Sequence, residues 1–149
     1  MHNLFNSTFE VELRILCLLA SGRKTQLNLE KIISLDFIVC YAECFQLPFR
    51  NLHGNNASMY GELANRRELC EEAIKALVTD GLVDVTIDAG YLYSISASGR
   101  KYTKKLKSEY AIQYQQIAAE ALKSFKKYSD GELSLMIQDN ALRALREVR

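Results

Sequence analysis

Near the start of the chain, Phe9, Leu13, Leu16, Cys17 and Ala20 recur at helical spacing, and Val11, Ile15, Leu18 and Leu19 carry apolar surface around the rest of the cylinder. A helix apolar on most sides belongs at the centre of a fold. Ser7-Thr8-Phe9-Glu10 has the form of a capping box at its start. At its end, Ser21-Gly22-Arg23-Lys24 offers a glycine for the left-handed cap and two cations to complement the helix dipole. Asn28 then caps a second helix whose stripe Leu29, Ile32, Ile33, Phe37, Cys40, Tyr41 and Cys44 runs to about Phe45. Asp36 interrupts that stripe. Burying a carboxylate unpaired is costly, so Asp36 lies at the stripe's edge or is held by a partner on another element, a structural reading preferred to a catalytic one.

Residues 46–60 form the longest irregular segment, with Pro48, Asn51, His53, Gly54, Asn55 and Asn56. A loop of this length is either functional or a plain connector. From Gly61 to Asp80 the pattern is helical again, with Leu63, Cys70, Ala73, Ile74 and Leu77 inward, and Glu62/Arg66 and Arg67/Glu71 as i, i+4 ion pairs on the wet side. Leu82 to Ile87 and Tyr91 to Ser96 read as two strands of a hairpin joined by Asp88-Ala89-Gly90, with the glycine left-handed. A further helix from Ala97 directs Tyr102 and Leu106 inward. Tyr110, Tyr114, Ile117, Ala121, Phe125 and Tyr128 continue at spacings of three and four. This stretch is either one rod on the order of 40 Å long or a separate helix capped by Ser108. Ser129-Asp130-Gly131-Glu132 is a second capping box, opening a last helix with Leu133, Met136, Ile137, Ala141, Ala144, Leu145 and Val148 on one side.

This order predicts a mainly α fold with a small β-hairpin: a winged-helix domain over 1–107, and a C-terminal helical extension over 108–149 packed on the same domain. The third helix of a DNA-reading winged helix should be basic or polar outward. Here residues 61–90 hold three cations (Arg66, Arg67, Lys75) against seven acids, a net of −4 that repels phosphate. Basic charge follows at Arg100, Lys101, Lys104, Lys105 and Lys107. These five are candidates for gripping a nucleic-acid backbone, or they are a solvated helix face.

With 149 residues, a formal net charge of +1 and 48% apolar residues, the composition is that of an ordinary soluble domain and argues against a generally nucleic-acid-coating protein. No secretory signal is visible and no apolar run is long enough to span a membrane, so a cytoplasmic protein without a membrane partner is expected. Cys17, Cys40, Cys44 and Cys70 lie inside apolar patterns and read as core thiols. Cys40 and Cys44 with Cys70 or His53 could in principle hold zinc, but the spacing is not that of a structural zinc site, so no metal is expected. No phosphate-binding loop, dinucleotide fingerprint, metalloprotease helix or nucleophile elbow occurs. His53 is the one plausible catalytic imidazole, without a neighbouring nucleophile motif, so neither catalysis nor a cofactor is expected.

The ordered set Phe5-Asn6-Ser7-Thr8-Phe9-Glu10, Leu35-Asp36, Leu52-His53-Gly54, Tyr60-Gly61-Glu62 and Arg66-Arg67-Glu68-Leu69, continuing through Ala73 to Val83, the hairpin and Ser108-Glu109-Tyr110, resembles the small middle-component proteins of bacterial ABC-three-component systems. The resemblance implies a non-catalytic adaptor, of a Lamassu-like plan, beside an SMC/Rad50-like coiled-coil ATPase and an effector, often a nuclease, in anti-phage or anti-plasmid defence. DNA held through its backbone by the complex is a further candidate partner. By the same resemblance His53, Gly61, Glu62, Arg66 and Arg67 form a shared partner surface or brace the loop. The alternatives are a winged-helix transcriptional regulator and, third, a small hydrolase using His53.

Overall fold

The computed structural model describes residues 7–54 and 59–147. His2, Phe5, Asn6, Asn55, Asn56 and Val148, and the side chain of Leu145, lie outside the described residues. The order is α1 (Thr8–Ala20), α2 (Leu29–Cys40), a short 3-10 helix (Ala42–Phe45), α3 (Met59–Thr79), β1 (Val83–Ile87), β2 (Tyr91–Ile95), α4 (Ala97–Lys104), α5 (Glu109–Phe125) and α6 (Asp130–Glu147). The protein is thus mainly helical with one two-stranded antiparallel hairpin among the described residues.

Helix α1 is central: it packs against α2, α3, α4, α5 and β2. Ser7 caps it by accepting from the Glu10 backbone N–H at 3.2 Å. Val11, Ile15, Leu16, Cys17, Leu18 and Leu19 are buried and Leu13 is half-buried, yet Phe9 is 59% exposed and Arg14 only 1%. The cylinder therefore buries a cation and leaves out the phenyl ring placed on its stripe. Asn28 caps α2 by accepting from Lys31 N at 2.8 Å. The helix ends at Cys40, short of the expected Phe45, because Tyr41 leaves helical geometry (φ −125°, ψ 46°) and the chain tightens into the 3-10 turn. Ser129 forms the full reciprocal box: its hydroxyl accepts from Glu132 N at 3.1 Å, and Glu132 Oε1 accepts from Ser129 N at 2.8 Å.

The hairpin pairs Val83 with Ile95 through Ile87 with Tyr91, leaving the expected three-residue loop. Within it Ala89 takes the left-handed conformation (φ 53°) that had been assigned to glycine, and Gly90 sits at φ 130°. Leu27, between α1 and α2, adds an antiparallel bridge to Tyr93, with reciprocal N–H···O bonds of 3.0 and 2.8 Å. The long continuous rod does not form: α4 ends at Lys104, and Ser108 caps α5 by accepting from Ala111 N at 3.1 Å. Tyr102 is 37% exposed, a correction to its inward placement. Helix α5 is packed on α1 and α2, burying Tyr114, Ile117, Ala118 and Ala121.

At Gly99 in α4 a Cβ atom would lie 2.2 Å from the Leu82 carbonyl oxygen and 2.8 Å from Ile95 Cγ1. Backbone cannot yield as a side-chain tip can, so Gly99→Ala is expected to lower stability by about 1–3 kcal/mol or more, the range of an overpacked core. Gly131 in α6 meets nothing closer than Ser129 Oγ at 4.0 Å. Gly131→Ala is the control and should be neutral or stabilising by up to about 1 kcal/mol, since alanine is the better helix former. Urea-midpoint shifts of equal size for the two variants would contradict this account of α4 packing.

Candidate functional site

Four of the polar side chains that the sequence singles out, Asp36, His53, Glu62 and Arg66, converge inside the helical core. Asp36, fully buried on α2, accepts from Arg14 of α1 through Nε at 2.9 Å and Nη2 at 3.1 Å, a bidentate pair. Arg66 of α3 donates Nη1 to the same carboxylate, and Tyr114 of α5 donates its hydroxyl at 2.6 Å. One carboxylate thus ties four helices together. Arg66 is 2% exposed, with its guanidinium carbon 5.3 Å from the Phe37 ring centroid and Nη2 3.6 Å from Glu62 Oε1. Glu62 accepts from the Tyr41 hydroxyl at 2.5 Å.

Electrostatics follow from this geometry. Burial alone pushes the Asp36 carboxyl up, but the charges of Arg14 and Arg66 and the bonds from Arg14 and Tyr114 override it and hold it well below the usual carboxylate range. Burial works against the Arg14 cation, and the adjacent Asp36 charge reverses that effect, leaving it firmly charged. The Tyr114 hydroxyl is pushed far up by burial and by the neighbouring Asp36 anion. Burial also pushes the Cys40 thiol up to about 12, with the Asp36 charge adding to the effect. It is a protonated core thiol, not a nucleophile.

His53 joins this cluster from the loop. Its ring is buried, with Nε2 2.8 Å from the Tyr110 hydroxyl, stacked on Tyr110 and edge-on to Tyr41. Its backbone N–H donates to Cys40 O at 3.3 Å. Burial, then the Arg14 cation, lower its pKa to about 3, outweighing the attraction of Asp36. The imidazole is therefore neutral at pH 7, and its approach to Glu62 at 3.9 Å is not an ion pair. Asn51 holds the same loop to the 3-10 helix by accepting from Glu43 N at 2.9 Å.

Of the five residues implied as a shared partner surface or a loop brace, His53, Glu62 and Arg66 lie in this interior cluster, while Gly61 and Arg67 are exposed. The Glu62/Arg66 pair is thus not on the wet side, which corrects the reading from i, i+4 spacing. Arg67 does stand there, bonded to Glu30 of α2 and 3.9 Å from Glu71. Removing Glu62 and Arg66 from the surface takes away one charge of each sign, so the outward face of residues 61–90 keeps its acid excess. Arg14, Tyr41, Tyr110 and Tyr114 belong to the cluster without having been singled out for it.

The basic run lies elsewhere. Lys101, Lys104, Lys105 and Lys107 are exposed, whereas Arg100 is half-buried and donates Nη1 to the last carbonyl of α1, Ala20 O, at 3.4 Å. No group of three or more His, Cys, Asp or Glu among the described residues is placed to hold a metal ion, so Cys40, Cys44, Cys70 and His53 do not assemble as a zinc site. No helix among the described residues is long and apolar enough to cross a membrane.

Residues 4–147 match the family model described as ABC-three component (ABC-3C) system Middle Component 2. No curated protein and no solved structure matches the chain. The match runs from before α1 to the end of α6 and contains the whole interior cluster, so the chain belongs to the Middle Component 2 family of ABC-three component systems.

Proposed function

We propose that this middle component is a non-catalytic adaptor: in a Lamassu-like complex it links an SMC/Rad50-like coiled-coil ATPase to an effector nuclease, in defence against phage or plasmids. The supporting observation is where the ionisable side chains go. Asp36, Arg14, Arg66, Glu62 and His53 gather in the core with Tyr41, Tyr110 and Tyr114, with Asp36 0% and Arg66 2% exposed, so these acids, cations and imidazole present no open site to a substrate. Their role is to lock α1, α2, α3, α5 and the loop into one body, which suits a subunit whose work is holding other subunits. Within it we read a winged helix. The Leu27–Tyr93 bridge puts a third strand position beside the hairpin, in the order helix, bridge, helix, helix, hairpin.

Co-expression with the proteins encoded beside it is expected to yield a complex in which ATPase, effector and this chain co-elute at constant ratio. Three separate elution peaks at micromolar concentration would end the adaptor reading. A second reading, a DNA-binding regulator, is favoured by the exposed lysines of 101–107. It requires the isolated chain to bind one duplex sequence preferentially at physiological salt. Uniform, salt-sensitive binding would instead indicate backbone contact alone.

A further inference from the structure

A cavity of about 590 Å³ opens between the 21–27 turn, the start of α2, the second half of α5 and the start of α6. Its apolar lining comes from Leu27, Leu35, Leu122, Phe125 and Leu133. Around these stand Arg23 and Lys24 from the turn, Lys31 from α2, and Lys123 and Lys126 from the end of α5, with no carboxylate residue among those lining it. Among these cations Lys31 has a counter-charge in the described residues, Asp130 at 3.9 Å. Arg23, Lys24, Lys123 and Lys126 form no ion pair with any described residue. Cations near a helix C-terminus complement its dipole, which accounts for each pair on its own helix. It does not account for the two pairs facing one apolar hollow.

We propose that this cavity is the docking site for an acidic amphipathic segment of a partner protein, one that places apolar side chains on the leucine floor and carboxylates against the four unpaired cations. Charge complementarity selects an anionic occupant, and the floor selects one with an apolar face. A nucleic acid fits less well, because single strands are held by exposed aromatic platforms and the lining aromatic, Phe125, is 9% exposed. The proposal rests on the adaptor reading only in taking the occupant to be protein.

The test titrates the isolated full chain into a fluorescein-labelled Glu-rich peptide carrying leucine at every third or fourth position, about twelve residues long so that as a helix it spans about 18 Å. Fluorescence anisotropy is expected to show saturable binding that weakens as salt rises, because the charges at the rim are solvent-screened. Lys123→Glu/Lys126→Glu, on one wall, and Arg23→Glu/Lys24→Glu, on the other, should each weaken it by about tenfold, the effect of roughly 1.4 kcal/mol of lost attraction. All four side chains are exposed, so both variants should fold, with melting temperatures lowered by a few degrees at most, roughly the effect of reversed charges at a helix C-terminus. A peptide with Lys in place of Glu, and an oligo-dT of equal charge, should not bind there. Absence of saturable binding by about 1 mM, wild-type affinity in both charge-reversed variants, or tighter binding of oligo-dT through the same residues would overturn the proposal. Failure of this titration leaves a co-eluting complex standing, and failure to co-elute leaves this titration standing.

Discussion

Asp36→Asn is expected to lower folding stability by about 3–5 kcal/mol, the range for removing one partner of a buried ion pair. Asparagine keeps the shape of the aspartate, so no cavity term enters. What it removes is the charge that compensates two guanidiniums, Arg14 at 1% and Arg66 at 2% exposure. As counter-charge Arg66 would retain the Glu62 carboxylate at 3.6 Å, with its Nε and Nη2 already lacking hydrogen-bond partners among the described residues. Because domains of this size are stable by about 5–15 kcal/mol in total, that loss is a large fraction of the stability and should appear as a much lower urea midpoint. A fall of under about 1 kcal/mol in urea unfolding would show that the guanidiniums find water or another anion. Arg14→Met/Asp36→Leu/Arg66→Met/Tyr114→Phe separates the penalty of an orphaned charge from the worth of the pairs. Removing the whole set and filling its volume should restore much of what Asp36→Asn loses, since an intact buried pair contributes little over apolar packing.

The presence of that cluster was half legible in the sequence. Arg14 is the one cation of α1, placed between Val11 and Leu18 at helical spacing, and Asp36 breaks the apolar stripe of α2. One cation and one anion stranded in two apolar faces imply each other, whereas the stripe of α2 alone leaves Asp36 either at its edge or held by a partner on another element. The identity of the second guanidinium was not legible. Glu62/Arg66 and Arg67/Glu71 have the same spacing, and only packing against α2 decides that the first turns in and the second out. Caps were readable because Ser7, Asn28, Ser108 and Ser129 act within three residues of themselves. The end of α2 was not, because Tyr41, Cys44 and Phe45 keep an i, i+3 or i+4 rhythm that a 3-10 turn satisfies as well as an α-helix.

Charge patterning has a related lesson. The sequence total of +1 conceals an acidic third helix and hairpin, an exposed lysine face after it, and a cation-rimmed cavity at the other end of α2. The interior cluster consumes its own charges and leaves these three surfaces intact. Partner choice would then be set by surfaces that contribute little to folding, so charge reversal at Lys123 or Lys126 costs only the small helix-dipole contribution. Substitution at Asp36 costs much more.

Acid is expected to destabilise the protein in two stages, and His53 sets the first. Its folded pKa, about 3, lies below the ordinary value near 6.5, so between those limits the unfolded chain binds a proton that the folded chain refuses. Stability therefore rises with pH across that window and is lost as pH falls from about 6.5 toward 3, at no more than about 1.4 kcal/mol per pH unit from this one group. The Asp36 carboxyl is held below its unfolded value, so its contribution is complete above the ordinary carboxylate range and is lost only as pH falls beneath it. The upper stage thus belongs to a neutral imidazole that must charge beside Arg14, and the lower to an anion that must be neutralised between two cations. Urea unfolding at half-unit steps from pH 7.5 to 4 should show the first stage directly. His53→Gln can still hydrogen-bond the Tyr110 hydroxyl yet has nothing to titrate. It should therefore flatten the decline between pH 6.5 and 4.5 whatever its stability at pH 7. A slope unchanged by that substitution would mean that His53 is charged in the folded protein and pairs with Glu62, 3.9 Å away, after all.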